Sequence, residues 1–388
     1  MITGAKKILF LNCDTLWFGS EKVLYYVLKA LSLSHQCYVV LPYDGFFEER
    51  LKELPVEVTV IPYPVLRRKY HSFKGVIIFF VKFVQSLFAL LKYMKKKGIE
   101  LVYSNSVSVL QGVTLSLLTG SRHIWHIHSV IRQPRLLSGF LKAALAFSPG
   151  MNIFVSRALM EQYGLKLSHK NRLLYNGIEP LDLQSKPAEV EYSPIGDGSC
   201  FTMGVVGTFN EQKGQIWLLK AVSLFFERYV KDCPFRVELT GPVYGNDTRW
   251  LEEIRAYISQ HALKEVVEIR GFTWPVENIY SRLDLFVLSS VIFDPFPTVV
   301  LEAMSCGLPV IGFDCGGVRE MMPQGSTSLV RTFDVEGLAE LISQYYSRPS
   351  GLKSKGLEQK KYFTAHFTYD IFRENLLTLF NGFCEGQK

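Results

Sequence analysis

The sequence predicts an α/β protein with two doubly wound, Rossmann-like domains that face a cleft. Its 388 residues exceed one ordinary core and suit two, at about 100–200 residues per domain. Short runs of β-branched and aromatic residues alternate with longer amphipathic segments, the pattern of parallel strands covered by helices. Residues 181–200 interrupt this alternation with Pro, Ser, Gly and charge, and they are predicted to be a linker.

The first domain, residues 1–180, is predicted from its order of strands and helices. The strands are expected in the runs ILFLNC, CYVVLP, VEVTVI, ELVYSN, HIWHIH, MNIFVS and RLLYN. Helices are expected in EKVLYYVLKAL and near 46–54, 75–97, 107–118 and 137–147.

The second domain, residues 201–365, restarts the same alternation. Its strands are expected in FTMGVVG, FRVELTG, VVEIRGF, DLFVLSS and LPVIGFD, with helices from about Lys213, from about Thr248 and at 298–306. The tail is helical from about Leu352, and we expect residues 366–388 to form a C-terminal helix that packs back on the first domain.

Composition indicates a folded protein of a reducing compartment. Apolar residues make up 48% and charged residues 20%, close to the average for soluble domains. The seven cysteines are odd in number and contain no C-x-x-C pair, so neither a disulfide framework nor a zinc site is expected. The first apolar run is too short for a signal peptide, and we therefore expect a cytoplasmic protein.

Charge is distributed unevenly along the chain. Residues 1–180 hold 23 Lys and Arg against 10 Asp and Glu, whereas residues 181–388 hold 20 against 26. The first half is therefore expected to meet anionic partners. We expect no nucleic acid among them, because no motif of interleaved basic and aromatic residues supports a known binding module.

Residues 289–320 carry the richest chemistry. A Pro-containing loop connects a strand to a helix whose N-cap is predicted to be Thr298. Asp294 and Glu302 are expected at the carboxyl edge of the sheet, where their carboxylates suit sugar hydroxyls. The N–H groups of Thr298, Val299 and Val300 suit a diphosphate. The alternative is an acidic pair that serves only the turn and the helix dipole.

Two further segments place polar groups at strand ends. Lys213 opens a helix after the strand FTMGVVG, where its ammonium group suits a diphosphate leaving group, although a Lys-Gly pair is also an ordinary helix start. His126 and His128 lie on the same side of the strand HIWHIH. Metal binding, a structural pair and substrate contact all remain open for them; no third ligand is apparent, and we expect no metal.

These segments together resemble the family 4 retaining glycosyltransferases of the GT-B fold. That family's signature is E-x7-E, followed by A-M-A-x-G-x-P-V-I and a G-G-x-x-E turn, and DPFPTVVLEAMSCGLPVIGFDCGGVRE follows it almost throughout. The resemblance assigns Glu302 to the nucleotide ribose and Asp294 to the donor sugar. Glu320 either reaches the diphosphate sugar or serves only as the acidic residue of a helix start. The remaining donor-binding residues of this segment are Phe296, Pro297, Thr298 and Val299.

Two positions depart from the family pattern. Asp294 replaces a Glu and is one methylene shorter. This difference bears on which donor sugar is bound more than on the class of reaction. The pattern G-R-L-x-x-x-K-G aligns Lys213 with the phosphate-binding Lys, but Thr208 stands where Arg is usual. Backbone N–H groups, Thr208 itself, Arg270 or Arg319 are the alternatives for the missing cation.

In the first domain the resemblance is weaker but collinear. Phe18 to Glu21 resemble the family's G-G-x-E loop, in which Gly19 and Ser20 allow close backbone approach to the donor. It is not a G-x-G-x-x-G fingerprint, so a nicotinamide cofactor is not supported. His128 matches the family's His near the donor sugar, with Ser129 in place of an acidic neighbour. Ser156 and Asn176 are further cleft candidates, although Asn176-Gly177 is also an ordinary turn pair.

A basic, apolar helix is predicted on the acceptor side. Residues 75–97 are interrupted by Lys82 and Gln85, end in lysines, and make a poor transmembrane span inside an α/β alternation. Either a peripheral contact with anionic lipid or a buried core helix fits this pattern. Several basic residues nearby favour the membrane: Arg67, Arg68, Lys69, Arg132 and Arg135.

The resemblance implies a retaining, metal-independent hexosyltransferase without a cofactor. The donor would be a nucleotide-diphosphate sugar and the acceptor a glycan or a lipid-linked sugar, as in polysaccharide, lipopolysaccharide or capsule assembly at the inner face of a membrane. Catalysis would rest on His128, Asp294 and Lys213, which domain closure would join. A nucleotide-sugar epimerase of the same fold and a catalytically degenerate sugar-nucleotide-binding subunit are the alternatives.

Overall fold

The structure divides the chain into two compact units. It is a computed structural model that describes residues 4–67, 70, 72–131, 133–183, 200–230, 235–243 and 247–386. The first unit comprises Met1–Gly177 and Tyr369–Lys388, and the second comprises Ile178–Thr368. Most of the predicted linker, 184–199, lies outside the described residues, as do Arg68, Lys69 and Arg132.

The first unit contains one parallel sheet of seven strands in the order β3-β2-β1-β4-β5-β6-β7. Its strands are β1 (Lys7–Leu11), β2 (Gln36–Leu41), β3 (Val56–Val60), β4 (Leu101–Ser104), β5 (Arg122–Ile127), β6 (Met151–Phe154) and β7 (Asn171–Leu173). The central strands are buried on both faces, which is why they read as unbroken apolar runs. The strand order reverses between β1 and β4, so the loops after these two strands form a switch point.

Within the described ranges, seven α-helices cover this sheet. They are α1 (Gly19–Leu31), α2 (Phe46–Leu51), α3 (Phe73–Lys97), α4 (Gln111–Thr119), α5 (Arg135–Phe147), α6 (Arg157–Gln162) and α13 (Tyr369–Glu385). The C-terminal helix α13 packs against α1, with the rings of Tyr26 and Tyr369 5.2 Å apart. Arg122 also donates to the carbonyl of Cys384 at 2.8 Å. The chain end is thus part of the first unit.

The second unit contains a parallel sheet of six strands in the order β10-β9-β8-β11-β12-β13. Its strands are β8 (Phe201–Val206), β9 (Phe235–Thr240), β10 (Val267–Arg270), β11 (Leu285–Leu288), β12 (Val310–Asp314) and β13 (Leu329–Arg331). Its helices are α7 (Gln215–Tyr229), α8 (Arg249–Gln260), α9 (Glu277–Tyr280), α10 (Thr298–Ser305), α11 (Val335–Tyr346) and α12 (Pro349–His366). The order reverses between β8 and β11, and this second switch point is where Lys213 and Asp294 follow their strands.

The start of α10 differs from the prediction. The N-cap is Pro297, in an extended conformation, and Thr298 is the first helical residue and makes no side-chain cap. A proline disfavours the helical conformation in the residue before it, so the helix does not extend to Phe296. Pro297 itself is extended, and the helix begins at Thr298. The prediction that Thr298 is the N-cap was therefore wrong.

Candidate functional site

An ion pair joins the two strand ends at the switch point of the second sheet. Lys213 lies at the end of a short 3-10 helix after β8, and Asp294 lies in the loop after β11. The Lys213 Nζ atom is 2.6 Å from Asp294 Oδ2, and the side chains are 21% and 8% exposed. The predicted phosphate cation and the predicted sugar-binding carboxylate are therefore brought together at the carboxyl edge, where α/β sheets bind ligands.

The backbone holds both partners of this pair. Asn210 accepts from the Lys213 N–H at 3.0 Å, and Ser289 donates to the Lys213 carbonyl at 2.7 Å. Asp294 forms a parallel bridge with Gly316. A Cβ at Gly316 would lie 2.0 Å from the Asp294 carbonyl oxygen and its φ is +87°, so only glycine fits there. The first glycine of the G-G-x-x-E turn thus positions the loop that carries Asp294.

Glu302 lies on α10 and is almost fully buried, with 3% of the residue exposed. Tyr280, at the end of α9, donates its hydroxyl to Glu302 Oε2 at 2.6 Å. Burial, followed by the nearby charge of Glu302, raises the pKa of Tyr280 well above its usual value. The sequence did not indicate Tyr280, because 22 residues separate the partners and no motif links them.

The first turn of α10 offers fewer free N–H groups than expected. Val300 N donates to the Pro297 carbonyl at 3.1 Å, so the prediction that this N–H serves a ligand was wrong. Thr298 and Val299 precede it at the helix start. Phe296 is buried with its ring against Phe367, at a centroid distance of 5.6 Å, and its side chain therefore packs inside the unit.

The two arginines considered as substitutes for the family's missing cation are both engaged. Arg319 is paired with Asp314 at 2.6 Å. Arg270 is paired with Glu268 at 2.7 Å and lies 3.5 Å from the buried Glu238. Lys213 is the cation that contacts Asp294, and Gln215 donates to the Thr208 carbonyl at 3.1 Å.

A second polar cluster follows the switch-point strands of the first unit. Glu21, in the first turn of α1, accepts from Ser20 at 2.8 Å and from the Asn12 amide at 3.2 Å. Asn105, after β4, donates to the Asn12 side chain at 2.9 Å and to the Ser20 carbonyl at 3.1 Å. His128, after β5, is 3.0 Å from Asn105 Oδ1 through Nε2. These five residues form one hydrogen-bonded chain, which we call the asparagine cluster.

Burial sets the charge state of the asparagine cluster. It raises the pKa of Glu21 from 4.5 to about 7, partly offset by the hydrogen bond from Ser20. It lowers the pKa of His128 to about 3, so the imidazole is neutral near pH 7. Because the Nε2 atom of His128 faces an amide oxygen, it carries the proton in this arrangement. The sequence indicated Ser20, Glu21 and His128 of this cluster but not Asn12 and Asn105.

The other first-unit candidates have structural contacts. His126 Nδ1 is 2.7 Å from the Tyr103 hydroxyl. The Ser156 hydroxyl accepts from Leu159 N at 3.2 Å and caps α6. Asn176 is buried. Across the described ranges, no group of three or more His, Cys, Asp or Glu side chains is placed to hold a metal ion.

Comparison with known proteins gives a family match in the second unit. Residues 200–348 match the family model of the Glycosyl transferases group 1. The chain is 27% identical over 187 residues to the alpha-maltose-1-phosphate synthase of Mycolicibacterium smegmatis, covering 45% of this chain and 46% of that protein. It is 28% identical over 104 residues to the putative colanic acid biosynthesis glycosyltransferase WcaL of Salmonella typhimurium, covering 25% and 26%. The chain thus spans about half or less of the length of these relatives.

Solved structures resemble nearly the whole chain. The HepE protein of Anabaena, crystallised with UDP and glucose, superposes with a TM-score of 0.77 at 20% identity, over 97% of this chain and 99% of that one. WaaG, a glycosyltransferase involved in lipopolysaccharide biosynthesis, has a TM-score of 0.69 at 12% identity, over 96% and 99%. The predicted α/β class, the GT-B fold and the resemblance to group 1 glycosyltransferases are confirmed.

Proposed function

We propose that this chain, which has the GT-B fold and a group 1 glycosyl transferase region at 200–348, is a glycosyltransferase that uses a nucleotide-diphosphate sugar. The observation that carries the proposal is the Lys213–Asp294 pair at the switch point of the second sheet. A cation for phosphate oxygens and a carboxylate for sugar hydroxyls are adjacent there, as the junction between a diphosphate and its sugar requires.

The donor is assigned to the second unit group by group. Lys213 contacts the diphosphate, and the start of α10 at Thr298 and Val299 adds the positive end of a helix dipole. Asp294 accepts hydrogen bonds from hydroxyls of the sugar. Glu302, held by Tyr280, accepts from the ribose hydroxyls. The nucleotide of the donor is proposed to be UDP, by analogy with HepE, which was crystallised with UDP and with UDP-glucose.

The reaction is proposed to be retaining and independent of metal. The bond between the sugar's anomeric carbon and the diphosphate breaks, and Lys213 stabilises the charge that develops on the leaving oxygen. The acceptor hydroxyl attacks on the same face, and its proton passes to the departing phosphate oxygen. His128 is assigned to contact with a sugar. Its pKa is lowered to about 3, and its Nε2–H faces Asn105, so the neutral ring offers Nδ1 as an acceptor for a sugar hydroxyl.

The acceptor is assigned to a cavity in the first unit. It has a volume of about 400 Å³ and lies beside the carboxyl ends of β2 and β3. Tyr43, Tyr63 and Tyr70 line it together with Arg67 and Lys82. Arg67 is held by Asp14 at 2.9 Å, while Lys82 is exposed on α3. Aromatic walls with two cations suit a glycan that carries an anionic group.

Helix α3 suggests how such an acceptor would be presented. Its length and apolarity are sufficient for a membrane span, and only 17% of its most apolar stretch is buried. However, Leu90 and Met94 in its C-terminal half belong to the core of the first unit, so the helix is one layer of an α/β fold. Its exposed apolar residues include Phe80 at 65% and Phe88 at 70%. The helix ends in three lysines, which favours peripheral contact with an anionic membrane surface, such as the inner face.

A ligand screen tests the donor assignment. Thermal shifts would be measured with UDP-, GDP-, ADP- and dTDP-sugars, with and without EDTA, on the wild type and on Glu302→Gln. We expect one nucleotide to stabilise the wild type equally in both buffers and to stabilise Glu302→Gln less. Absence of any shift in folded protein would contradict the donor site.

Analysis of the products formed from the same donors distinguishes the two alternatives to a glycosyltransferase. Donor that stabilises the protein but yields no nucleoside diphosphate with any acceptor would favour a sugar-nucleotide-binding subunit. Conversion of the donor into an epimer, followed by NMR of the sugar ring protons, would favour an epimerase. Transfer predicts instead that nucleoside diphosphate and a new glycoside appear in equal amounts.

A further inference from the structure

A second cavity in the second unit opens beside the donor loop and plays no part in the function proposed above. Its volume is about 340 Å³. The first turns of α7 and α8 and the loops after β11 and β13 enclose it. We call it the aromatic pocket, and its characteristic lining residues are Glu211, Trp217, Lys220, Trp250, Glu253 and Phe333.

Three aromatic rings form the walls of the aromatic pocket. Phe333 meets Trp217 edge-to-face at a centroid distance of 4.7 Å. Lys220 Nζ lies 3.9 Å from the ring centre of Trp217 and covers one of its faces. Trp250 stacks on no other ring within the part of the chain that the structure describes, and Phe333 is 50% exposed. Two aromatic surfaces therefore remain available to a ligand.

Phe333 has a backbone conformation that is costly for a bulky side chain. Its φ is +69°, in the left-handed region that residues other than glycine rarely adopt. The conformation places the half-exposed ring of Phe333 against Trp217. Such strained positions occur preferentially at ligand-binding sites, and here the strained residue lines a cavity.

The polar groups of the pocket select among ligand classes. Glu211 and Glu253 both line it, and within the described ranges no Lys or Arg forms an ion pair with either. Two carboxylates against one lysine disfavour a phosphate or a carboxylate ligand. The same groups accept hydrogen bonds from hydroxyls, while Lys220 and Asn210 donate them. A ligand with an apolar face and a rim of hydroxyls satisfies both the rings and the carboxylates.

We infer that the aromatic pocket binds a neutral saccharide, with a sugar ring stacked on Trp250 and Phe333 and its hydroxyls bonded to Glu211 and Glu253. The site is separate from Lys213, Asp294 and Glu302. It touches the donor loop through Asn210, whose side chain caps Lys213 N at 3.0 Å. A glycan held there would lie next to the loop that carries the phosphate cation. This inference does not depend on the reaction proposed above.

Titration with neutral disaccharides tests the inference. Maltose, cellobiose, lactose and chitobiose would be added to the full chain, with tryptophan fluorescence and saturation-transfer NMR as readouts. We expect saturable binding of at least one disaccharide. The dissociation constant is expected to rise about tenfold or more in Trp250→Ala and in Glu253→Gln. Phe226→Ala removes an exposed ring of α7 that lies outside the pocket; it is the control and should bind as the wild type does.

Nucleotide binding is measured on the same samples to separate this inference from the donor site. The affinity for UDP should remain within about twofold in Trp250→Ala, because Trp250 contacts none of the proposed donor groups. Failure of all four sugars to bind, or unchanged sugar binding in Trp250→Ala, would overturn the inference. So would a loss of UDP binding in Trp250→Ala, since the pocket would then belong to the nucleotide.

Discussion

Substitutions of Lys213 and of Asp294 are expected to affect diphosphate binding differently, although the two residues form one ion pair. Lys213→Met removes the phosphate cation but keeps an unbranched stem, which packs over Gly207, where a Cβ would lie 3.3 Å from Lys213 Cγ. Asp294→Asn removes the carboxylate but keeps a hydrogen-bond acceptor for Ser290. In the wild type, Ser290 Oγ donates to Asp294 Oδ2 at 3.1 Å. The first change should weaken diphosphate binding, and the second should not.

The size of the effect follows from burial. An exposed ion pair contributes about 0–1 kcal/mol, but these side chains are 21% and 8% exposed, and a charged hydrogen bond in such a setting contributes about 1.5–3 kcal/mol. If Lys213 makes that contact with phosphate, Lys213→Met weakens nucleoside diphosphate binding about 10- to 150-fold. Asp294→Asn leaves Lys213 without its competing carboxylate, so diphosphate affinity should stay equal or rise while turnover of the nucleotide sugar falls.

Isothermal titration with the best-stabilising nucleoside diphosphate is the assay. The double variant Lys213→Met/Asp294→Asn should bind better than Lys213→Met alone, because no unpaired carboxylate then faces the phosphate. Lys220→Met removes a charge near the start of α7 in the aromatic pocket and should bind as the wild type does. The reasoning is refuted if Lys213→Met binds within about twofold of wild type, or if Lys220→Met weakens binding as much.

Three further outcomes are expected. Glu302→Gln should weaken nucleotide binding about tenfold in the same titration and Tyr280→Phe less, because Tyr280 only orients the carboxylate; equal losses would contradict the ribose assignment. The pKa of Glu21 rises from 4.5 to about 7, so its contribution to stability is present below pH 4.5 and is lost as pH rises through about 7. Glu21→Gln should therefore gain in melting temperature relative to wild type across that range, and a pH-independent difference would argue against a buried titrating carboxyl. Phe80→Ser/Phe88→Ser should reduce co-sedimentation with phosphatidylglycerol vesicles about fivefold or more, with pure phosphatidylcholine as the control; unchanged sedimentation would remove α3 from the membrane contact.

The sequence predicted the alternation of elements well because buried parallel strands are unbroken apolar runs. Four elements were missed: α6, α9, β13 and α11. The first three are short, with six, four and three residues, and their signals are weak. By contrast, α11 has twelve residues and an Asp334 N-cap, and its signal was overlooked. The N-cap of α10 was misplaced because Thr298 is a favoured capping residue, while Pro297 fixed the boundary one residue earlier. Local preference was overridden by the backbone constraint of proline.

The candidate site was predicted residue by residue but not as a set of contacts. Lys213 and Asp294 were both named, yet their ion pair spans 81 positions and depends on the strand order at the switch point. Asn12 follows β1 and Asn105 follows β4. The two strands are adjacent in the sheet, but the two asparagines are 93 positions apart in the chain. An isolated Asn after a strand carries no signal, so the asparagine cluster could be found only once the sheet order was known.

Donor cleavage measured directly is the strongest test of the account. Nucleoside diphosphate release from the nucleotide sugar that stabilises the protein would be followed in wild type and in Asp294→Asn, with binding of the donor's nucleotide verified in both. The account predicts release by the wild type that is lost in Asp294→Asn while nucleotide binding persists. Equal release by the two proteins, with the nucleotide bound in both, would contradict a glycosyltransferase built on the Lys213–Asp294 pair.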